Sequence, residues 1–179
     1  MISTRNHYSI QLRGDEIMKK SISLGMAGLL FTTSLTSLAA ENGKGVPYPE
    51  GYRNWLHVKS MLIQPGHALE NPFQGLHHVY ANKQAEKGLK EGKYADGSVL
   101  VFDLLQYQEQ DKTIQEGERK LVGVMVKDAK KYAATGGWGF EGFAGNSKTE
   151  RLTNDGGKSC FGCHEPQKDS DYVYSKYRP

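Results

Sequence analysis

The sequence predicts an α+β fold: a compact, β-rich single domain with an antiparallel sheet and short helices. Three observations support this class. Short segments with spaced apolar residues recur along the chain between Gly, Asp and Asn signals, as is typical of strands joined by turns. The segments of helical composition are short. No repeat or break in composition marks a second domain in the 179 residues, and this length suits one domain.

The first forty residues have the three parts of a secretory signal peptide. Lys19 and Lys20 precede an apolar run at residues 21–36, and small residues follow at positions 37–40. The apolar run is short and interrupted for a bilayer span. We therefore expect an N-terminal extension and signal peptide at residues 1–40, export to the periplasm, and a mature domain without a stable membrane span. An uncleaved membrane anchor is the alternative.

Charge in the mature domain is nearly balanced. The whole chain has 23 basic and 20 acidic residues, of which residues 1–40 contain four and two. The remaining 19 basic and 18 acidic residues give a net charge of +1. No basic patch with interleaved aromatic residues is present, so we expect no nucleic-acid partner.

The predicted domain comprises residues 41–179. Its first half contains both predicted strands and a predicted helix. Residues 41–50 are rich in Gly and Pro and predict a loose arm. Residues 52–58 fit either a short helix or the beginning of a strand. Residues 75–80 predict a strand, and residues 82–91, rich in Lys, Glu, Ala and Gln, predict a short helix with a solvated face.

The strongest strand prediction is residues 98–105, which follow a turn signal, Asp96-Gly97. Successive side chains of a strand alternate between its faces. One face therefore carries Ser98, Leu100, Phe102 and Leu104, and the other carries Val99, Val101, Asp103 and Leu105.

The second half of the domain is interpreted in the same way. Residues 107–118 are polar and rich in Gln and Glu, which predicts an exposed loop. Residues 120–126 and 138–143 predict strands, and residues 128–134 predict a short helical turn that ends at two glycines. Residues 145–159 predict a loop.

The motif with a chemical meaning is Cys160-Phe161-Gly162-Cys163-His164, which fits the C-x-x-C-H attachment pattern of a c-type haem. Thiols three positions apart on a helical turn reach two vinyl groups of one porphyrin edge. The histidine that follows then points its imidazole at the iron. We therefore expect one covalent haem c near the C-terminus, bound by Cys160 and Cys163, with His164 as the metal ligand.

Two other uses of a C-x-x-C pair fit less well. A thioredoxin-like motif should follow a strand near the start of a βαβ unit. Here the pair follows a polar loop close to the C-terminus. A structural zinc site needs further ligands, and the chain has no second cysteine pair.

The sixth iron ligand remains open at this level. A Met or His ligand favours electron transfer, whereas an open position favours the binding of small ligands. For each candidate, core packing or a surface position is the commoner role. The candidates are Met61, Met125, His57, His67, His77 and His78.

Several further segments occur in a characteristic order with the haem motif. They are residues 48–55 (YPEGYRNW), 71–73 (NPF), 77–80 (HHVY), 94–99 (YADGSV), 126–132 (VKDAKKY), 136–140 (GGWGF) and 171–179 (DYVYSKYRP). In these segments the chain resembles the cytochrome P460 family, which includes the cytochromes c′-beta. The resemblance implies a β-rich single-haem fold, commonly a homodimer, with His164 as proximal ligand.

The resemblance also implies one of two activities. Cytochromes P460 oxidise hydroxylamine and carry a lysine bonded to the porphyrin, whereas cytochromes c′-beta bind gases such as nitric oxide beneath an apolar cap. Phe102 occupies the position of the cross-linking lysine, and no lysine occurs in residues 94–110. His77 occupies the position of the family's distal arginine. We therefore expect Phe102 and His77 beside the haem.

These positions favour a cytochrome that binds a small gaseous ligand, transfers electrons, or does both. The electron-transfer role would require a redox partner protein, which the sequence does not identify. The alternative is an oxidoreductase acting on hydroxylamine or a related nitrogen species.

Overall fold

The computed structural model describes residues 45–179, so the predicted N-terminal extension and signal peptide lie outside the described residues. The domain is built on one five-stranded antiparallel sheet whose strands follow one another in sequence order, β1-β2-β3-β4-β5. The strands are β1 (Leu56–Ile63), β2 (Gly75–Ala81), β3 (Val99–Gln110), β4 (Thr113–Lys127) and β5 (Trp138–Ala144). The predicted β-rich α+β class is confirmed, as are the strands expected at residues 75–80, 98–105, 120–126 and 138–143.

Three short α-helices accompany the sheet: α1 (Glu70–Phe73), α2 (Lys83–Glu91) and α3 (Lys158–His164). Single 3₁₀ turns occur at Tyr52–Asn54, Ala133–Thr135 and Glu165–Ser170. The helix expected at residues 82–91 is confirmed as α2. Its N-terminus is capped by Asn82, whose side chain accepts a hydrogen bond from the Ala85 amide at 2.8 Å. Among the described residues, no helix has the length and hydrophobicity needed to cross a membrane.

The exposed loop predicted at residues 107–118 is wrong. β3 and β4 continue through this segment as a long two-stranded hairpin, in which Tyr107 pairs with Glu116 and Gln110 with Thr113. Asp111 and Lys112 form its two-residue turn, with φ of 50° and 60°. Two positive φ values match the right-handed twist of the strands. The hairpin is held by backbone pairing outside the core, so its polar side chains show no apolar alternation.

Two predictions near the N-terminus are also resolved. The part of the Gly/Pro-rich arm that the structure describes is irregular but not loose, because Val46 is buried and its carbonyl accepts a hydrogen bond from Arg151 Nη1 at 2.9 Å. Residues 52–58, which fitted either a helix or a strand, contain both. The 3₁₀ turn Tyr52–Asn54 leads directly into β1.

The two faces of the sheet carry separate apolar clusters. The front face packs Leu100, Trp138 and Phe140 against α2 and the C-terminal segment. The back face packs Val101, Val124 and their neighbours against residues 46–55. The alternation predicted for residues 98–105 is therefore what separates the two clusters.

A buried carboxylate anchors the back face. The side chain of Asp103 is fully buried, and its oxygens accept hydrogen bonds from Arg119 Nε at 2.7 Å and Arg53 Nε at 2.8 Å. Burial alone would raise the pKa of Asp103, but the hydrogen bonds from Arg119 and Arg53 offset this and hold the pKa below its usual value. The carboxylate is therefore ionised when the protein is folded at neutral pH.

We expect Asp103→Asn to lower the free energy of unfolding by about 3 kcal/mol, because it leaves two arginines without their buried partner. The matched control is Asp111→Asn in the exposed hairpin turn, where the expected change is within about 0.5 kcal/mol. Urea denaturation of the holoprotein at neutral pH measures both. Equal effects of the two substitutions would contradict a stabilising role for Asp103.

The pH dependence of stability follows from the same group. A carboxylate with a depressed pKa stabilises the folded state above its unfolded pKa, about 3.9, and that contribution is lost as pH falls toward the folded value. The wild-type protein should therefore lose more stability on acidification from neutral pH than the Asp103→Asn variant.

Candidate functional site

The helix α3 presents Cys160, Cys163 and His164 within two turns. Both cysteines are free thiols; Cys160 is half-buried and Cys163 is exposed. The helix begins at Lys158, and the Asp155 side chain lies beside its N-terminus. Asp155 accepts hydrogen bonds there from the amides of Gly157 at 2.9 Å and Ser159 at 2.8 Å. The thiols are thus carried by a helical turn and are not joined to each other.

His164 is held in one orientation by the chain that follows it. Its Nδ1 lies 2.8 Å from the carbonyl oxygen of Tyr172. Because a carbonyl only accepts hydrogen bonds, Nδ1 carries the proton and Nε2 keeps a lone pair. A hydrogen bond from the other ring nitrogen is the usual support of a metal-bound histidine.

The surroundings of His164 also keep it neutral. Its ring packs against Phe140, at 5.1 Å between centroids, and against Tyr174, at 5.3 Å. Burial lowers the pKa of His164 below its usual value, although the hydrogen bond to Tyr172 opposes this shift. At neutral pH the imidazole can therefore donate its Nε2 lone pair to a metal.

The segment that holds His164 is itself fixed by Asp171. One Asp171 carboxylate oxygen lies 2.6 Å from Lys127 Nζ, and the other accepts the amide hydrogen of Tyr94 at 3.0 Å. The Asp171 carbonyl accepts the indole N–H of Trp138 at 2.9 Å. The position of the Tyr172 carbonyl therefore depends on β4, β5 and the loop before β3.

Phe102 and His77, predicted to share a pocket, are in direct contact on the front face. Their rings lie 4.4 Å apart between centroids and are inclined by 34°. Phe73 packs edge-on against Phe102 at 5.8 Å. We call Phe73, His77 and Phe102 the aromatic cluster. Phe102 thus contacts the rings of both Phe73 and His77.

His77 is an unusual member of this cluster. Its side chain is only 2% exposed, and its Nδ1 has no hydrogen-bond partner among the residues that the structure describes. Burial lowers the pKa of His77 to about 4, and the charges of Lys59 and His78 add to the shift. The imidazole is therefore neutral at neutral pH and keeps an unused polar atom.

The thiol helix and the aromatic cluster face the same apolar region. Phe102 and Met125 from the sheet, and Cys160 and Phe161 from α3, all pack against the front-face cluster. The strand positions beside Phe102 carry no side chains, because Phe102 pairs with Gly123 of β4, which pairs in turn with Gly142 of β5. A planar apolar group attached to α3 would meet this face of the sheet.

The candidates for the sixth iron ligand lie on the front face, on the back face and in a loop. Met125 lies on the front face, and Met61 lies opposite His77 on the edge strand with 39% of its surface exposed. His57 and His78 contact the exposed Ser60 hydroxyl on the back face, as alternation predicts for His78. His67 lies in the loop after β1 and accepts the Leu69 amide hydrogen.

Sequence reasoning missed several contributors to the site. Tyr172 acts through a backbone carbonyl, which has no sequence signature. Phe140 and Tyr174 were visible only as an apolar strand residue and a C-terminal tyrosine. Lys59, whose charge reaches His77, gave no signal because its strand was not predicted.

Comparison with known proteins identifies a family. The family model described as Cytochrome P460 matches residues 49–175, which is most of the chain. No curated protein matches it.

A glycine pair tests how the site is supported. Gly136 and Gly92 have φ of 65° and 73°, so alanine is strained at both. A Cβ at Gly136 would lie 2.3 Å from the Tyr172 ring, whereas one at Gly92 would have nothing within 4 Å. Gly136→Ala should therefore lower the free energy of unfolding by about 1–3 kcal/mol more than Gly92→Ala.

Urea denaturation measures this difference, and the yield of haem-loaded protein measures its effect on His164. Equal stability losses in the two variants would show that the Tyr172 segment moves without cost.

Proposed function

This chain belongs to the cytochrome P460 family, and we propose that it is an exported c-type cytochrome with one haem that binds small gaseous ligands such as nitric oxide. The family implies a haem cofactor. The covalent attachment, the single haem and the class of ligand are our proposals. The observation that carries the choice of ligand is Phe102, which lies in an aromatic cluster where a cross-linking lysine would be needed for the alternative chemistry.

The proximal residues fit a c-type haem. Cys160 and Cys163 are unpaired thiols with the required spacing, and His164 has a neutral ring whose Nε2 is free. In this proposal the thiols hold the porphyrin edge and His164 holds the iron. When bound, the haem supplies an iron centre that can bind a diatomic gas and exchange one electron.

The aromatic cluster suits an apolar ligand on the other side. Phe102 and Phe73 offer rings but no ligand atoms, so they exclude water without occupying the iron. His77 is neutral at neutral pH, since its pKa is lowered to about 4. A neutral imidazole can donate one hydrogen bond to a bound gas without adding charge.

Hydroxylamine oxidation is the second candidate function, and the position of one lysine supports it. Lys59 lies on the same face as Phe102, separated from it by the single strand β2. Neighbouring strands are about 4.8 Å apart, so the two backbones are separated by about 10 Å. A long lysine side chain spans much of that distance. Because β3 has no lysine, Lys59 is the lysine we would test for a bond to the porphyrin under this alternative.

Export and assembly complete the proposal. The signal-like residues 1–40 support a periplasmic location, where thiols in a C-x-x-C-H motif can be joined to haem. The family resemblance supports a homodimer, and an electron-transfer role would require a redox partner protein.

The attachment should be detectable after denaturation. We expect haem to stay with the polypeptide in acidified organic solvent, with an intact mass equal to the mature chain plus one haem. Replacing Cys160 and Cys163 by Ala should abolish the holoprotein. Haem that extracts freely would refute covalent attachment.

Peptide mapping of the same sample tests the choice between the two activities. We expect no lysine joined to the porphyrin and a ferrous Soret band without the red shift of a cross-linked haem. A lysine-linked haem peptide would place hydroxylamine oxidation first.

The aromatic cluster should control ligand entry. We expect the ferrous protein to be five-coordinate and high-spin, and Phe102→Ala to speed carbon monoxide association about tenfold, which corresponds to about 1.4 kcal/mol of barrier. Val101→Ala is the control, because it removes a buried side chain from the opposite face of the same strand. Stopped-flow mixing measures both. Equal rates in wild type and Phe102→Ala would contradict the role of Phe102.

A further inference from the structure

We propose that Lys59 and His77 form an anion-binding site on the front face, which recognises a small inorganic oxyanion such as nitrite at the ferric iron. This inference deepens the proposed function and depends on it only for the position of the haem. It assigns a role to a lysine that no sequence motif identified.

The backbone of β1 directs Lys59 toward the front face. The register between β1 and β2 pairs His57 with Tyr80 and then Lys59 with Val79, so Val58 is an extra, bulged residue. Val79 is also the cross-strand partner of Phe102. Residues paired directly across strands share a face. Lys59 therefore lies on the same face as Phe102 and His77.

The bulge is a supported feature of the fold. The Val58 carbonyl accepts hydrogen bonds from Arg178 Nη2 at 2.9 Å and Nε at 3.1 Å. The buried Val58 side chain belongs to the front-face cluster. Bulges are common next to functional sites, where they redirect side chains. Here the bulge turns His57 away from the front face, while Lys59 and Met61 stay on it.

Within residues 45–179, Lys59 lacks a counter-ion. Lys127, which lies on the same face of the sheet, is by contrast paired with Asp171 at 2.6 Å. Lys59 is half-buried and has no hydrogen bond or ion pair with any residue in the described range 45–179. A partly desolvated ammonium without a carboxylate attracts an anion.

His77 supplies the second group. Its Nδ1 is buried and has no partner in the part of the chain that the structure describes, although buried polar atoms normally have one. Lys59 pairs with Val79 and His77 pairs with Met61, so Lys59 and His77 are diagonal neighbours on the front face. The charge of Lys59 also contributes to lowering the pKa of His77. An oxyanion can accept hydrogen bonds from the Lys59 ammonium and from an imidazole N–H at once, and would satisfy both groups.

A carboxylate carries the same charge as nitrite and also has two oxygens that accept hydrogen bonds. A haem propionate is therefore the other anion that this site could hold. The two sources differ in what they affect. A propionate is part of the haem and would influence every ligand and the reduction potential. If the site binds a free oxyanion, removing the charge of Lys59 should weaken only the binding of that oxyanion. The experiment therefore compares an anionic with a neutral ligand.

The test is an optical titration of ferric holoprotein with sodium nitrite, alongside a carbon monoxide titration of the ferrous form. Lys59→Met removes the charge and keeps a side chain of similar length. We expect the ratio of nitrite to carbon monoxide affinity to fall at least about tenfold in this variant. Lys59→Arg should keep the wild-type ratio, because the charge remains. Lys83→Met, at an exposed lysine of α2 with 86% of its side chain accessible, is the control.

Three results would overturn the proposal: an unchanged ratio in Lys59→Met, parallel losses of both ligands with a shifted reduction potential, or a Lys59–porphyrin bond in peptide maps. The second would assign Lys59 to a haem propionate. Failure of the wild-type ferrous protein to bind carbon monoxide would instead contradict the proposed gas-binding function. The nitrite affinities and reduction potentials of wild type, Lys59→Met and Lys59→Arg would then test the role of Lys59 on their own: a weaker nitrite affinity in Lys59→Met at an unchanged potential supports it, and an equal affinity overturns it.

Discussion

The ion pairs of Asp103 with Arg53 and Arg119 are the constraint on which the rest of the sheet depends. A strand that slips by one residue turns all its side chains to the opposite face. Such a slip in β3 would move the fully buried Asp103 carboxylate into the apolar front-face cluster and separate it from both arginines. The same slip would move Phe102 to the back face. The charge on one side of β3 therefore determines where the aromatic ring on the other side lies.

The position of His164 depends on a second, partly buried ion pair. Asp171 joins Lys127 of β4, and its carbonyl accepts a hydrogen bond from Trp138 of β5. These contacts place the neighbouring Tyr172 carbonyl against His164. The sheet thus contributes to both walls. It presents the aromatic cluster directly, and it orients His164 through the C-terminal segment.

Between these walls, the site is apolar with one local exception. The phenyl rings of Phe73 and Phe102 favour neutral ligands, while Lys59 and the unpartnered His77 nitrogen lie toward the edge strand. This asymmetry explains how one haem site could bind a neutral gas in the ferrous state and an anion in the ferric state. Ferric iron carries one more positive charge and so attracts anions more strongly. In the proposed site, the charge of Lys59 would add to that preference.

Features that depend on a local pattern of residues were predictable from the sequence. The alternation at residues 98–105 placed Phe102 and Asp103 on opposite faces, helical composition located α2, and the spacing of Cys160, Cys163 and His164 defined the candidate attachment site. The order of matched segments indicated the family. Each of these signals lies within a few residues of the feature that it predicts.

Features that depend on partners distant in sequence became visible once the fold was known. The hairpin of β3 and β4 is held by backbone pairing, which leaves no apolar pattern in its polar side chains. The Tyr172 carbonyl is a main-chain atom, so residue identity does not reveal its contact with His164. Lys59 resembles an ordinary strand lysine until the β1–β2 register places it on the same face as His77. Cross-strand register is fixed by the whole sheet, and local sequence therefore cannot specify it.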